Sequence, residues 1–205
     1  MNFFQRFFGH LKTVTKHRWW VCYYCFKAGI PWQGLVHDLS KFSPIEFWES
    51  VKYYQGFRSP IDYCKEVNGW SKAWMHHKGR NKHHYEFWQD NFDLGCKPVQ
   101  MPYKYALELI CDFLGAGRAY NGKNFTPENE YKWWLNKKSR GIKMHPQTLE
   151  FVNLMMEDFC NSGFINTLVR AEEYYNFAAI RTYSKDSKWY YSEHIGKKLK
   201  VLHIR

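Results

Sequence analysis

The sequence predicts an all-α protein, and three observations carry that expectation. Apolar residues recur at the spacing of a helix face through most of the chain. Ser43-Pro44, Ser59-Pro60 and Thr126-Pro127 each join a capping side chain to a proline that fits the first helical turn. Breaks such as Ala28-Gly29-Ile30-Pro31 and Asn68-Gly69 end one helix before the next begins. Hydrophobic residues make up 45% and aromatics 20% of the 205 residues, enough for a sizeable core and incompatible with disorder. Tyr and Trp carry polar tips on apolar rings, which reconciles a mean hydropathy of -0.62 with that core.

Taken in order, Phe4, Phe7, Phe8, Leu11, Val14, Val21 and Cys25 form an apolar stripe from about Phe3 to Lys27, and His17 falls on it. A second helix is expected to carry His37 and Asp38. Ser43-Pro44-Ile45-Glu46 reads as a capping box, with Glu46 reaching back, and opens a helix towards Gly56. Ser59-Pro60-Ile61-Asp62 opens another, ending near Asn68-Gly69. Between Trp74 and Glu86, His76, His77, His83 and His84 bracket the basic turn Gly79-Arg80-Asn81-Lys82. Lys104 to Tyr120 is the next helix, with Tyr105, Leu109, Asp112 and Ala116 on its inner face. Thr126 starts a helix through Trp133 and Trp134, and Pro146–Cys160 and Asn166–Ala179 follow as two more. Beyond Thr182 a short hairpin or loose tail is expected. With no repeat or linker in view, residues 1–180 are read as one domain, and 181–205 as a tail packed on or extending from it.

No apolar run reaches the length of a membrane span, and Met1 to Phe8 lacks the basic lead and cleavage site of a signal peptide. The six cysteines, Cys22, Cys25, Cys64, Cys96, Cys111 and Cys160, read as reduced, buried thiols of a cytoplasmic protein. Cys22-x-x-Cys25 has no second pair and no preceding strand, so packing is the better account. A net charge of +11 attracts anions, and phosphorylated molecules are the natural partners.

Each histidine alone is more often a hydrogen-bonded core residue than a ligand. Asp112 is different, because an unpaired carboxylate on an inner face is costly unless it is paired or bound to metal. The bland account pairs Asp112 with Arg118 or a tyrosine and leaves the two His-His pairs in a solvated turn. Against it stands the whole order: His17, then His37-Asp38, then the doublets, then Asp112. That order resembles the HD-domain metal-dependent phosphohydrolase superfamily. His37-Asp38-Leu39-Ser40-Lys41 looks like its His-Asp-x-Gly-Lys version, with Ser40 in place of the glycine. The wording of Gly34 to Glu46 and of Trp74 to Trp88 is similar to an uncharacterised bacterial and phage family of unknown function.

The resemblance implies an HD-domain-like helical bundle holding one or two divalent ions, of Mn, Fe, Mg, Zn, Co or Ni. His17, His37, Asp38 and Asp112 would bind one. Asp38 would bridge to a second, completed by one of His76 and His77 and one of His83 and His84. The function it implies is hydrolysis of a nucleotide-like phosphomonoester or phosphodiester by metal-activated water, with Asp38 and Lys41 as the catalytic pair. Lys41 and the turn Arg80-Asn81-Lys82 are suited to phosphate oxygens. Glu46 or Glu86 is a candidate proton donor to the leaving group. Two other readings compete. One is an HD-type di-iron oxygenase on the same ligands. The other is a nucleic-acid-binding protein without catalysis, supported by charge and interleaved aromatics but lacking a helix-turn-helix, RNP or zinc-finger signature.

Overall fold

The fold is all-α. The computed structural model describes residues 1–90, 93, 95 and 97–183. Ten α-helices lie among them: α1 Phe3–Lys27, α2 Pro31–Val36, α3 Pro44–Tyr53, α4 Pro60–Asn68, α5 Lys72–Lys78, α6 Tyr103–Asn121, α7 Pro127–Ser139, α8 Pro146–Ser162, α9 Phe164–Val169 and α10 Ala171–Tyr183. A two-stranded antiparallel hairpin, β1 Gln89–Asp90 with β2 Lys97–Pro98, precedes α6. The hairpin or tail expected beyond Thr182 lies outside the described residues, except that α10 continues to Tyr183. No helix of the described residues is long and apolar enough to cross a membrane.

The long helix α1 starts in a capping box, Asn2 accepting from the Gln5 amide at 2.9 Å while the Gln5 side chain answers at 2.9 Å. It buries His10, Val14, His17, Val21, Tyr24 and Cys25. Phe4 and Phe8, expected in that stripe, are exposed. Apolar residues occur on more than one side of α1, so tertiary contact decides which side is buried. Residues of α3 and α6 pack on the His10–Val21 side. Gly115 of α6 meets Val21 so closely that a Cβ would lie 3.0 Å from the Val21 amide nitrogen. Helix α2 packs closely on this part of α1, where a Cβ on Gly34 would meet the Cys25 Cβ and the Cys22 backbone. Cys25, Cys64 and Cys111 are buried free thiols, but Cys22 is only partly buried and Cys160 is exposed; Cys96 lies outside the described residues.

On α6 the core side is Ala106, Leu107, Ile110, Cys111 and Leu114, against Phe151, Val152, Met155, Met156 and Phe159 of α8. The face named from the sequence instead lines a cavity with Leu109, Asp112 and Ala116. The single helix expected over Asn166–Ala179 is two, α9 and α10, parted at Arg170, where the Arg170 amide bonds back to Thr167. The Ser43 start forms without a side-chain cap, and Glu46 is engaged elsewhere.

Glu130 of α7 is buried above Gly117, where a Cβ would overlap its carboxyl oxygens, and it accepts from Asn121 at 3.3 Å. Burial raises its pKa to about 7. A carboxyl raised on folding binds more protons in the native state, so stability is full below about pH 4.5 and falls as pH rises towards 7. Glu130→Gln is therefore expected to stabilise the protein by about 1–2 kcal/mol at pH 8, allowing for partial solvent screening. Scanning calorimetry should show that gain at pH 8 and almost none at pH 4.5.

Candidate metal centre

His37 and Asp38 do not sit on a helix. Helix α2 stops at Val36, His37 is extended in ψ (128°), and Asp38 is left-handed at φ 54°, ψ 26°. Asp38 is the one non-glycine residue with positive φ among the described residues. Arg18 holds this corner, donating Nε to the His37 carbonyl at 2.8 Å and a terminal nitrogen to the Leu35 carbonyl at 3.1 Å. The left-handed turn costs about 1 kcal/mol and is best tolerated by Asp, Asn and Gly. It replaces the helical splay between adjacent side chains with a reversal that sends both to the same point.

At that point stand four donors from three parts of the chain. His17 Nε2 lies 3.3 Å from Asp38 Oδ2 and 3.2 Å from Asp112 Oδ1. His37 Nε2 lies 3.3 Å from Asp38 Oδ2, 3.4 Å from Asp112 Oδ1 and 3.3 Å from His17 Nε2. A point equidistant from corners so spaced is about 2.0 Å from each, the bond length of a first-row divalent ion to imidazole or carboxylate. Asp112 is thus paired with His17 and His37 and not with Arg118, which lies over the Trp20 and Phe125 rings.

A second group meets the other oxygen of the same carboxylate. Asp38 Oδ1 lies 3.3 Å from His77 Nε2 and 3.5 Å from His83 Nε2, and His84 Nε2 stands 2.8 Å from His77 Nε2. Asp38, His77, His83 and His84 offer ligand atoms all within 4.8 Å of one another, as do His17, His37, Asp38 and Asp112. Both histidines of the second doublet take part, and His77 alone from the first. His76 instead bonds Glu46 at 2.6 Å.

Two buried carboxylates orient these rings: Glu108, which the sequence reading did not single out, and Glu46. Glu108 Oε1 accepts from His37 Nδ1 at 2.9 Å and stands 3.1 Å from His83 Nδ1. Glu46 Oε2 accepts from His77 Nδ1 at 2.7 Å, which corrects its reading as half of a capping box. With Nδ1 protonated towards a carboxylate, the Nε2 lone pair of His37, His77 and His83 points at the donor clusters. Lone pairs facing one another at such range repel unless a cation lies between. Asp38 Oδ1 and His83 Nε2 are, moreover, buried without any hydrogen-bond partner. These orphaned atoms are what a metal fits, and buried His, Asp and Glu clusters able to hold one are a feature of this fold.

The electrostatics agree for the carboxylates and for His77 and His84. At His37 burial is outweighed by the neighbouring Asp38, Asp112 and Glu108, which raise the ring well above the ordinary imidazole range, so an ion there would have to displace its Nε2 proton. Burial alone would raise the Asp38 and Asp112 carboxyls, yet neighbouring histidines, with Lys41 beside Asp38, hold both well below the usual range. Burial, with His83 and His77 close by, keeps His84 well below the ordinary imidazole range, and burial and Lys41 lower His77. Ionised carboxylates and neutral imidazoles are the ligating forms.

The centre opens on a cavity of about 310 Å³ lined by His10, His17, Asp38, Lys41, Asp112 and Tyr120 among others. Lys41 Nζ reaches Asp38 Oδ2 at 3.3 Å. Arg80 and Lys82 do not line this cavity: Arg80 is exposed, and Lys82 lies over the Phe87 and Tyr105 rings. Asn81 donates to Ser40 Oγ at 2.8 Å and to the His77 carbonyl at 2.9 Å, tying the His37-Asp38 corner to the histidine segment. That bond gives the serine a use that a glycine lacks. The cations that do line the cavity with Lys41 are Lys65 and Lys137, from α4 and α7. Glu86 also lines it.

A family model described as a family of unknown function (DUF5662) matches residues 6–158, a span that includes every residue of both donor groups. No curated protein and no solved structure matches the chain.

Proposed function

The chain belongs to that family of unknown function, DUF5662, and from its centre we propose a two-metal hydrolase of phosphate esters, of the HD-domain kind, acting on a nucleotide-like small molecule. One observation carries the reading: the Asp38 carboxylate divides its oxygens between two histidine-rich donor groups, Oδ2 to His17 and His37, Oδ1 to His77 and His83. A carboxylate so placed would help to hold an ion in each group, the arrangement suited to in-line displacement at phosphorus. Ions bound there would supply an activated water and charge stabilisation for phosphoryl oxygens.

The chain's own residues do the rest. Asp112 is the most exposed of the carboxylates in the first group and faces the cavity, leaving that side open to a ligand. Lys41 stays cationic, because Asp38 and Asp112 outweigh the burial that would neutralise it, and offers its ammonium to phosphate oxygens. The cavity's volume suits a nucleotide-sized molecule and not a nucleic-acid chain.

Metal analysis of the full-length protein, followed by assay on phosphomonoesters and cyclic nucleotides with added Mn, tests the reading. Two ions per chain are expected, with turnover abolished by chelation and restored by metal. A protein that takes up no metal and stays silent across the panel overturns the proposal. Stoichiometric iron with oxygen uptake on a small polyol or phosphonate replaces it with the oxygenase.

A further inference from the structure

His10 lies on the same face of α1 as His17, two turns earlier, and nothing in the metal-binding arrangement uses it. It is 5% exposed, borders the cavity, and its Nε2 is buried with no hydrogen-bond partner. The ring is backed by Phe47 and Tyr54, with centroids 5.2 and 5.9 Å away, so it cannot turn its nitrogen to water by swinging outward. A buried ring nitrogen left without a partner costs about 1–3 kcal/mol. The fold tolerates it here, at the wall of a cavity, beside Lys41. Burial and the Lys41 ammonium lower its pKa to about 4, so at neutral pH it is an uncharged imidazole with a proton to share.

We propose that His10 and Lys41 form a two-donor clamp for a phosphoryl oxygen that the metal centre leaves free, which makes the substrate a phosphomonoester and not a diester. This rests on the hydrolase reading and narrows it. A monoester phosphoryl group has three non-bridging oxygens and a diester has two. The two donor groups around Asp38 account for oxygens at the metal centre. Lys41, which touches Asp38 Oδ2 at 3.3 Å, and His10, which lines the same cavity, give the third oxygen a charged and a neutral donor. A diester places an alkyl oxygen there. An ester oxygen carries less charge and accepts weakly, so Lys41 keeps only Asp38 and the His10 Nε2 stays poorly satisfied, a basis for rejection.

The probes are methylphosphonate, with three free oxygens, and dimethyl phosphate, with two. Their affinities are measured by calorimetry on the metal-loaded full chain for the wild type, His10→Phe and His10→Gln. Phe keeps the ring packing on Phe47 and Tyr54, and Gln restores an amide donor. The wild type is expected to favour methylphosphonate. His10→Phe should bind methylphosphonate about tenfold more weakly with little change for dimethyl phosphate, and His10→Gln should recover most of the loss. Both variants should keep the wild-type metal content, which separates this effect from misfolding. Equal methylphosphonate affinity in wild type and His10→Phe, or a wild-type preference for dimethyl phosphate, overturns the clamp. Neither result touches the hydrolase reading, which stands or falls on turnover.

Discussion

An Asp38→Asn protein is expected to keep its helical content, retain at most one divalent ion, and hydrolyse phosphate esters on the order of 10³-fold more slowly than the wild type. Asparagine tolerates the left-handed backbone at φ 54°, so the corner pinned by Arg18 survives. What changes is one oxygen. The amide carbonyl can serve one donor group, but the NH2 that replaces the other oxygen has no lone pair to give and carries protons towards the second group. The anion that offsets Lys41 and the neighbouring imidazoles is lost as well. Asp112→Asn is the control, because Asp112 belongs to the His17–His37 group alone. It should weaken one ion and spare the other. Ion counting by mass spectrometry, with circular dichroism alongside, separates the two variants. If Asp38→Asn keeps both ions while Asp112→Asn loses one, Asp38 is not a bridge.

The pattern of ligands was legible where local rules carry it. The burial of His17 follows from its place in the periodicity of α1, and the pairing of Asp112 from the expense of a carboxylate on an inner helix face, but only the resemblance joined them to His37 and Asp38. The corner itself was not legible. The left-handed Asp38 is held by Arg18, and nothing in His37-Asp38 announces that tertiary bond. Glu46 was misread because Ser43-x-x-Glu46 satisfies a local rule, while its actual partners, His76 and His77, arrive from another helix. Arg80 and Lys82 were favoured for adjacency in sequence to the histidines. Space instead brings Lys65 and Lys137 to the cavity from α4 and α7. Glu108 had a readable signal that went unused: a charge inside Ala106-Leu107-Glu108-Leu109-Ile110 needs a buried partner just as Asp112 does.

That residue gives the other large expected effect. One oxygen of Glu108 serves His37 at 2.9 Å and His83 at 3.1 Å, and these two rings belong to different donor groups. A carboxylate behind a ligating imidazole fixes its tautomer and raises its basicity, and removing such support costs about 10–100-fold in metal affinity. Glu108→Gln keeps the length and can set its carbonyl where Oε1 stands, so what it loses is the negative charge that holds both Nδ1 protons and raises the basicity of both rings. It should therefore loosen both ions by about 10–100-fold each. Glu46→Gln supports only His77 among the ligands, so it should loosen one. Chelator competition on the two variants, counting ions released at each chelator concentration, tells these outcomes apart. If the two variants release ions alike, the shared oxygen is not the link between the groups. If Glu108→Gln alone loosens both, the two ions are coupled twice, through Asp38 between them and through Glu108 behind them. A centre tied in both ways would lose its ions together.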